Sequence, residues 1–275
     1  MKKLVYLNLF VFLTSSMLFA QINPKADQSN GWIFYTGNHK LTDKWGLHTE
    51  YQFRRNDEFS KPMQHQIRLG LDYNLTKQLT VSAGWSYIET FAYGDFADEI
   101  PAKYNNYKFN EQRAWEQFII KHEHINRFHF DSRFRLEQRW IASVKNFGTD
   151  TAPNYLRYDD PSEGYWKYRQ RARYRFRVQV PLTKSEMKDN TLFFVAADEI
   201  FVNFGKNVPA NIFDQNRLYL ALGWRFTKDT NVQVGYMNQF IEKSDGVHKE
   251  NNHTLQVALT YNIDFSKLFK STKKE

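Results

Sequence analysis

From residue 31 to residue 265, polar and apolar side chains alternate with a period of two, which excludes most folds at once. That period puts successive side chains on opposite faces of an extended strand; a helix would need apolar residues every three or four positions. In the last such run Leu255, Val257, Leu259, Tyr261, Ile263 and Phe265 share one face, and Thr254, Gln256, Ala258, Thr260, Asn262 and Asp264 share the other. Leu218, Leu220, Leu222, Trp224 and Phe226 alternate in the same way with Arg217, Tyr219, Ala221, Gly223 and Arg225. A third run sets Ile67, Leu69, Leu71, Tyr73 and Leu75 against Arg68, Gly70, Asp72 and Asn74. Further runs cover 45–53, 79–87, 128–140, 166–180 and 232–240, and the alternation blurs at 111–124 and 192–204. The tally is about eleven strands, many roughly twice the usual length of about five or six residues. Long strands in that number fit an all-β, antiparallel up-and-down barrel that crosses a membrane.

Composition narrows the class further. Aromatic residues make up 17% of the chain, too many for a disordered protein, while 25% charged residues leave no run for an apolar helix to cross a bilayer. Cysteine is absent, so disulfides, thiolate metal sites, cysteine nucleophiles and a lipid-modified N-terminal cysteine are excluded. No cofactor is expected. Lys2 and Lys3 precede the apolar stretch 4–13, and Leu18-Phe19-Ala20 offers a cleavage site before Gln21. Residues 1–20 therefore read as a cleaved signal peptide. Residues 21–29 read as a linker, 30–265 as the barrel and 266–275 as a basic tail. Export means that the net charge of +8 does not point to nucleic acid.

The connections are sorted by length. Four of the short ones share a cue, at Leu41-Thr42-Asp43-Lys44, Leu75-Thr76-Lys77-Gln78, Leu182-Thr183-Lys184-Ser185 and Phe226-Thr227-Lys228-Asp229; the fifth is Asn126-Arg127. Longer connections fall near 55–62, 94–110, 141–164, 205–213 and 243–250. Barrels of the Gram-negative outer membrane trim their periplasmic turns and elaborate their outer loops in this way. A soluble barrel with an apolar interior would show the same periodicity. Lipid on the outside is favoured by the strand number and by aromatic residues beside the short turns: Trp45, Tyr73, Phe128, Phe226, Tyr261 and Phe265. The last strand ends on Phe265, similar to the signal read by barrel-assembly machinery, although ten residues follow it. Outer-membrane lipid and that machinery are the expected partners, with the oligomeric state left open. Bacterial single-chain barrels have even strand numbers. Twelve strands are therefore expected, ten being the alternative, with the twelfth hidden near 22–30 or in a blurred segment.

The chain resembles the family catalogued as domain of unknown function 2490, barrels of the Gram-negative outer membrane. The resemblance rests on Gly31-Trp32, Leu41-Thr42-Asp43-Lys44-Trp45, Glu50 through Arg54, Gln66 through Leu75, and the close at Tyr261. It implies a fold and a location, and it carries no catalytic or ligand-binding residues.

One strand holds Arg169, Arg171, Arg173, Arg175 and Arg177 at every second position. On a lipid face each would cost about 2–4 kcal/mol near the midplane, so they are expected to line the lumen. The strand before it offers His129, Asp131, Arg133, Arg135, Glu137 and Arg139, and the strand after it offers Asp198 and Glu199, one of which must point inward. Ion pairing among these would make a rigid polar filling; an excess of arginine would make a wall that attracts anions. The expected role is a narrow passive channel for small anionic or polar solutes, or a structural one. His122 and His124 share one strand face, with His129 close by on the next strand, but Glu123 faces away and zinc would need a third ligand, so the group reads as a strand end near the membrane interface. In the loop 141–164, Tyr155, Tyr158, Asp159, Asp160 and Glu163 read as a solvated tip rather than a sugar or calcium site. No hydrolase or phosphate-loop motif occurs. A lipid-acting outer-membrane enzyme is the rival from another class.

Overall fold

The computed structural model describes residues 26–91, 93–94, 108–144, 164–208, 210–243, 246 and 249–266. The expected signal peptide, most of the basic tail and the loop residues Tyr155 to Glu163 lie outside them. Eleven strands follow in chain order: β1 (Ala26–Lys40), β2 (Trp45–Asn56), β3 (Lys61–Asn74), β4 (Leu79–Phe91), β5 (Lys108–Lys121), β6 (His129–Val144), β7 (Gly164–Pro181), β8 (Thr191–Phe204), β9 (Phe213–Thr227), β10 (Thr230–Glu242) and β11 (Lys249–Tyr261). Each pairs antiparallel with the next, and β1 pairs with β11 to close a barrel.

The count corrects the expectation of twelve. With eleven strands the first and last run the same way, and they close the ring as a parallel ladder from Ala26 opposite Glu250 to Thr36 opposite Thr260. Parallel pairing slants the hydrogen bonds but still pairs both backbones, so closure does not require an even number. Past Tyr261 the chain stays on this seam: Lys40 N–H donates to the Ile263 carbonyl at 2.8 Å, and Phe265 N–H to the Lys40 carbonyl at 2.8 Å. β1 also starts at Ala26, inside the expected linker, because Ala26, Gln28 and Asn30 point inward and Asp27 and Ser29 outward. That alternation is polar on polar and hard to see by hydropathy.

The threonine cue has a direct cause. Thr42 Oγ accepts from Trp45 N–H at 2.9 Å, Thr76 Oγ from Leu79 N–H at 3.0 Å and Thr227 Oγ from Asp229 N–H at 3.2 Å. Each hydroxyl satisfies an amide that the tight turn frees from the ladder. At Asn126-Arg127 a two-residue turn joins Ile125 to Phe128, with Asn126 at φ 54°. The sorting of connections by length is looser than expected. The one between β2 and β3 is only 57–60, and Arg55 ties it down by donating to the carbonyls of Phe59 at 3.1 Å and Ser60 at 2.7 Å. On the opposite end, 182–190 is longer than its neighbours, and its Met187 packs against the cluster of Phe193, Val195 and Ala221.

The two faces of the wall follow the alternation. Leu69, Leu71, Leu220, Leu222, Leu255 and Leu259 are exposed on the outside, whereas Arg68, Asp72, Ala221, Thr254 and Ala258 are buried on the inside. At two places a glycine makes room for a ring in the lumen. A Cβ at Gly70 or Gly84 would lie 2.5 or 2.7 Å from the Trp115 ring, so the bare backbone of β3 and β4 is where the indole rests. A Cβ at Gly223 would come within 2.3 Å of the Phe193 ring. Small polar residues, which the inward parity of this position would admit, therefore do not fit there.

Candidate functional site: a cation-filled lumen

Arg133, Arg135, Glu137 and Arg139 on β6, the series Arg169 to Arg177 on β7, and Glu199 on β8 all share the lumen face by register. Glu137, 1% exposed, sits at the centre. It accepts from Arg171 Nη2 at 2.6 Å and Arg173 Nη1 at 2.7 Å, and Arg68 and Arg113 each approach to 3.7 Å. Glu199 accepts from Arg133 at 2.7 Å and Arg173 at 2.9 Å. Asp131 holds Arg175 at 2.9 Å and Arg177 at 2.7 Å. Arg139 binds Glu111 at 2.6 Å, while Arg135 finds an amide instead, Gln117 Oε1 at 2.6 Å. Asp198 is the partner that points outward, where Asn216 Nδ2 donates to both its oxygens at 3.1 Å.

Several lumen groups were not singled out from the sequence. Glu50 pairs with Arg68, Glu111 with Arg113, and Asp214 accepts from Arg171 Nη1 at 2.6 Å. Arg54 and Arg217 flank the buried Trp32, their guanidinium carbons 3.9 and 5.3 Å from its ring centre. For all but Asp214 the signal was inward parity, on the face opposite to apolar neighbours in the same strand; Asp214 has the parity of the outward leucines and sits where the register shifts, Phe201 facing Gln215 and Val202 facing Phe213. None belongs to a run like that of β7, so none stood out.

The lumen has three levels. At the end of the short turns, Phe193, Val195 and Ala221 form an apolar cluster with Met187 and Tyr219. At the waist Trp115, Phe201, Arg68, Arg135 and Glu137 are almost completely buried, so side chains fill the cross-section. Toward the opposite end a cavity of about 650 Å³ opens, lined by Arg54, Arg113, Arg139, Arg171 and Arg217 among others. At its rim Lys243 pairs with Glu250 and lies 5.5 Å from the Tyr93 ring centre. Burial, and then Glu250, push the Tyr93 hydroxyl up to about 12, so it adds no negative charge there.

The histidines do not converge. His122 Nε2 is engaged by Ser132 Oγ at 2.8 Å on the outer face, and the rings of His124 and His129 lie 5.7 Å apart. Among the described residues no three His, Asp or Glu side chains group as metal ligands would.

Taken together, the fold and the site define a closed eleven-stranded β-barrel with an apolar outer wall and a lumen filled by ion-paired arginines. The chain belongs to the family described as protein of unknown function (DUF2490), whose profile matches residues 29–252. No curated protein matches it. A solved structure titled "NanC porin structure in rhombohedral crystal form" shares 10% identity with it, with 84% of this chain and 97% of that chain covered and a TM-score of 0.45.

Proposed function

We propose that this protein is an integral barrel of a Gram-negative outer membrane, inserted after export, whose lumen is a basic cup rather than a through-pore. The observation that carries the reading is the contrast between the two faces of one wall. Outside, Trp45, Leu71, Trp85, Phe118, Leu136, Leu222, Trp224 and Leu255 are exposed, an apolar band too continuous for water to favour. Inside, the same strands bury arginines and carboxylates against one another. A barrel in lipid is the setting in which both faces are satisfied. The packed waist supports holding small anions over passing them.

Reconstitution tests this. The full-length protein is expected in the outer-membrane fraction, with migration on gels that changes on heating, and to show no steady conductance in planar bilayers. A steady pore that prefers anions would replace the cup with the narrow channel. A pore that prefers cations, or recovery as a soluble protein, would overturn the reading.

A second reading, a lipid-acting enzyme, has one specific observation behind it. Ser132 Oγ and His122 Nε2 lie 2.8 Å apart on the outer face, where lipid would be, with Tyr174 Oη 3.2 Å from the same hydroxyl. Against it, Ser132 is only 2% exposed. The expected result is no covalent labelling of detergent-solubilised protein by a fluorophosphonate. Labelling lost in Ser132→Ala would instead establish the enzyme.

A further inference from the structure

Within the basic cup, we infer that Arg54 and Arg217 on either side of Trp32 form a binding site for a small organic oxyanion, a carboxylate or a phosphate monoester. This rests on the reading of the lumen as a cup and names what the cup holds.

Most of the lumen arginines described above have a carboxylate: Arg68, Arg113, Arg133, Arg139, Arg171, Arg173, Arg175 and Arg177 each meet one within 4 Å. Arg135, Arg54 and Arg217 differ; Arg135 packs at the waist against Gln117 and does not line the cavity, whereas Arg54 and Arg217 do. Arg54, 6% exposed, donates from Nε to Gln52 Oε1 at 2.9 Å, and its Nη2 reaches the same oxygen. Arg217 donates to Gln215 Oε1 at 3.2 Å. Among the described residues no carboxylate oxygen comes within 4 Å of either. The nearby acids are already taken, Glu50 by Arg68 and Glu199 by Arg133 and Arg173.

Burying a cation without a counter-charge is unfavourable. Ring faces offset part of that cost: Arg54 stacks on Trp32, and Arg217 lies 4.8 Å from the Phe201 ring centre as well as 5.3 Å from Trp32. The rings hold the guanidinium planes, and amide oxygens occupy one edge of each. Among the described residues, neither has an acceptor with negative charge. A guanidinium is the group that pairs two-pronged with carboxylate or phosphate oxygens. Both arginines line the cavity of about 650 Å³, so a small anion has space beside them.

The rest of the lining sets the class of ligand. A cavity of that volume suits a small organic molecule rather than a lone halide. Gln64, Gln66, Gln215 and Gln239 line it, and amides offer both donors and acceptors to hydroxyl or carbonyl groups. Met63, in contact with Trp32 in one small apolar cluster, gives a limited carbon surface. The site therefore fits a polar organic anion with one acidic head.

The test uses the full-length barrel in detergent, by calorimetry at low salt. The probes are gluconate as a hydroxylated carboxylate, glucose 6-phosphate as a phosphate monoester, glucose as the neutral control and chloride as the simple anion. Saturable binding of gluconate or glucose 6-phosphate is expected, with glucose and chloride at least tenfold weaker; which of the two wins distinguishes the head group. Arg54→Gln and Arg217→Gln should each weaken binding tenfold or more, and Arg54→Lys, which keeps the charge but loses the fork, by less. The turn variant Lys188→Gln is expected to bind as the wild type does. Heat-modifiable migration checks that each variant is still a barrel. No saturable binding by the folded wild type, binding of glucose as tight as that of the anions, or binding unchanged in folded Arg54→Gln and Arg217→Gln would each overturn the site while leaving the barrel intact. Recovery of the protein as a soluble species would instead fail the membrane reading, whatever the probes do.

Discussion

Replacing Glu137 with Ala should destabilise the barrel by about 3–5 kcal/mol, the cost typical of removing one partner of a buried ion pair. Glu137 accepts directly from Arg171 and Arg173, with Arg68 and Arg113 at 3.7 Å. Its loss leaves these cations facing one another in a packed, buried waist. Urea unfolding of the protein in vesicles, followed by heat-modifiable migration, reads the change as a lower midpoint. The complementary substitution of Arg171, Arg173 and Arg175 by Gln removes the other side of the network. It leaves Glu137 without its two direct donors, takes one arginine from Glu199 and leaves Asp131 with Arg177 alone. That triple variant should also melt earlier. Wild-type stability in Glu137→Ala would mean that the filling is hydrated and that the waist is not the packed layer described here.

The second large effect belongs to the outer face. Leu222 is 53% exposed and lies at the middle of the outward apolar series Leu218, Leu220, Leu222, Trp224 and Phe226. Arg there should cost about 2–4 kcal/mol if that band sits in lipid, because no water solvates the charge at the midplane. Ala221, one residue away and 4% exposed, faces the lumen. Ala221→Ser should therefore cost much less. The comparison is made in the same unfolding experiment with vesicles. Equal penalties at 221 and 222 would mean that the band does not face lipid.

Much of this was legible before any coordinates. Leu69 and Arg68, Leu222 and Ala221, Leu255 and Thr254 fall on the faces that a period of two assigns, because pleating fixes where successive side chains point. The inward arginines on β7 follow from the same rule together with the cost of charge in lipid. The threonine turns were visible too, since the hydroxyl that closes each one is a local contact. The expectation of twelve strands failed at the seam. Whether β1 meets β11 parallel or antiparallel depends on residues more than 200 positions apart, and no local pattern records it. Asp198 and Glu199 show the same limit in small: adjacent in sequence, only one can face the lumen, and the register against β7 chose Glu199.

The sequence by itself determined the period, the polarity of each face, the turns and the presence of a basic interior, because each depends on neighbours a few residues apart. The tertiary structure alone decided the strand number, the parallel closure and which cations are neutralised. Arg171 reaches Glu137 and Asp214 only because β6, β7 and β9 are brought around one lumen, and Trp115 packs at the waist only because β3 and β4 present bare glycines opposite it. Among the described residues, Arg54 and Arg217 are left beside Trp32 without a carboxylate for the same reason. Charge compensation in a barrel is settled across the lumen and between neighbouring strands, over distances that the linear order of residues does not encode locally.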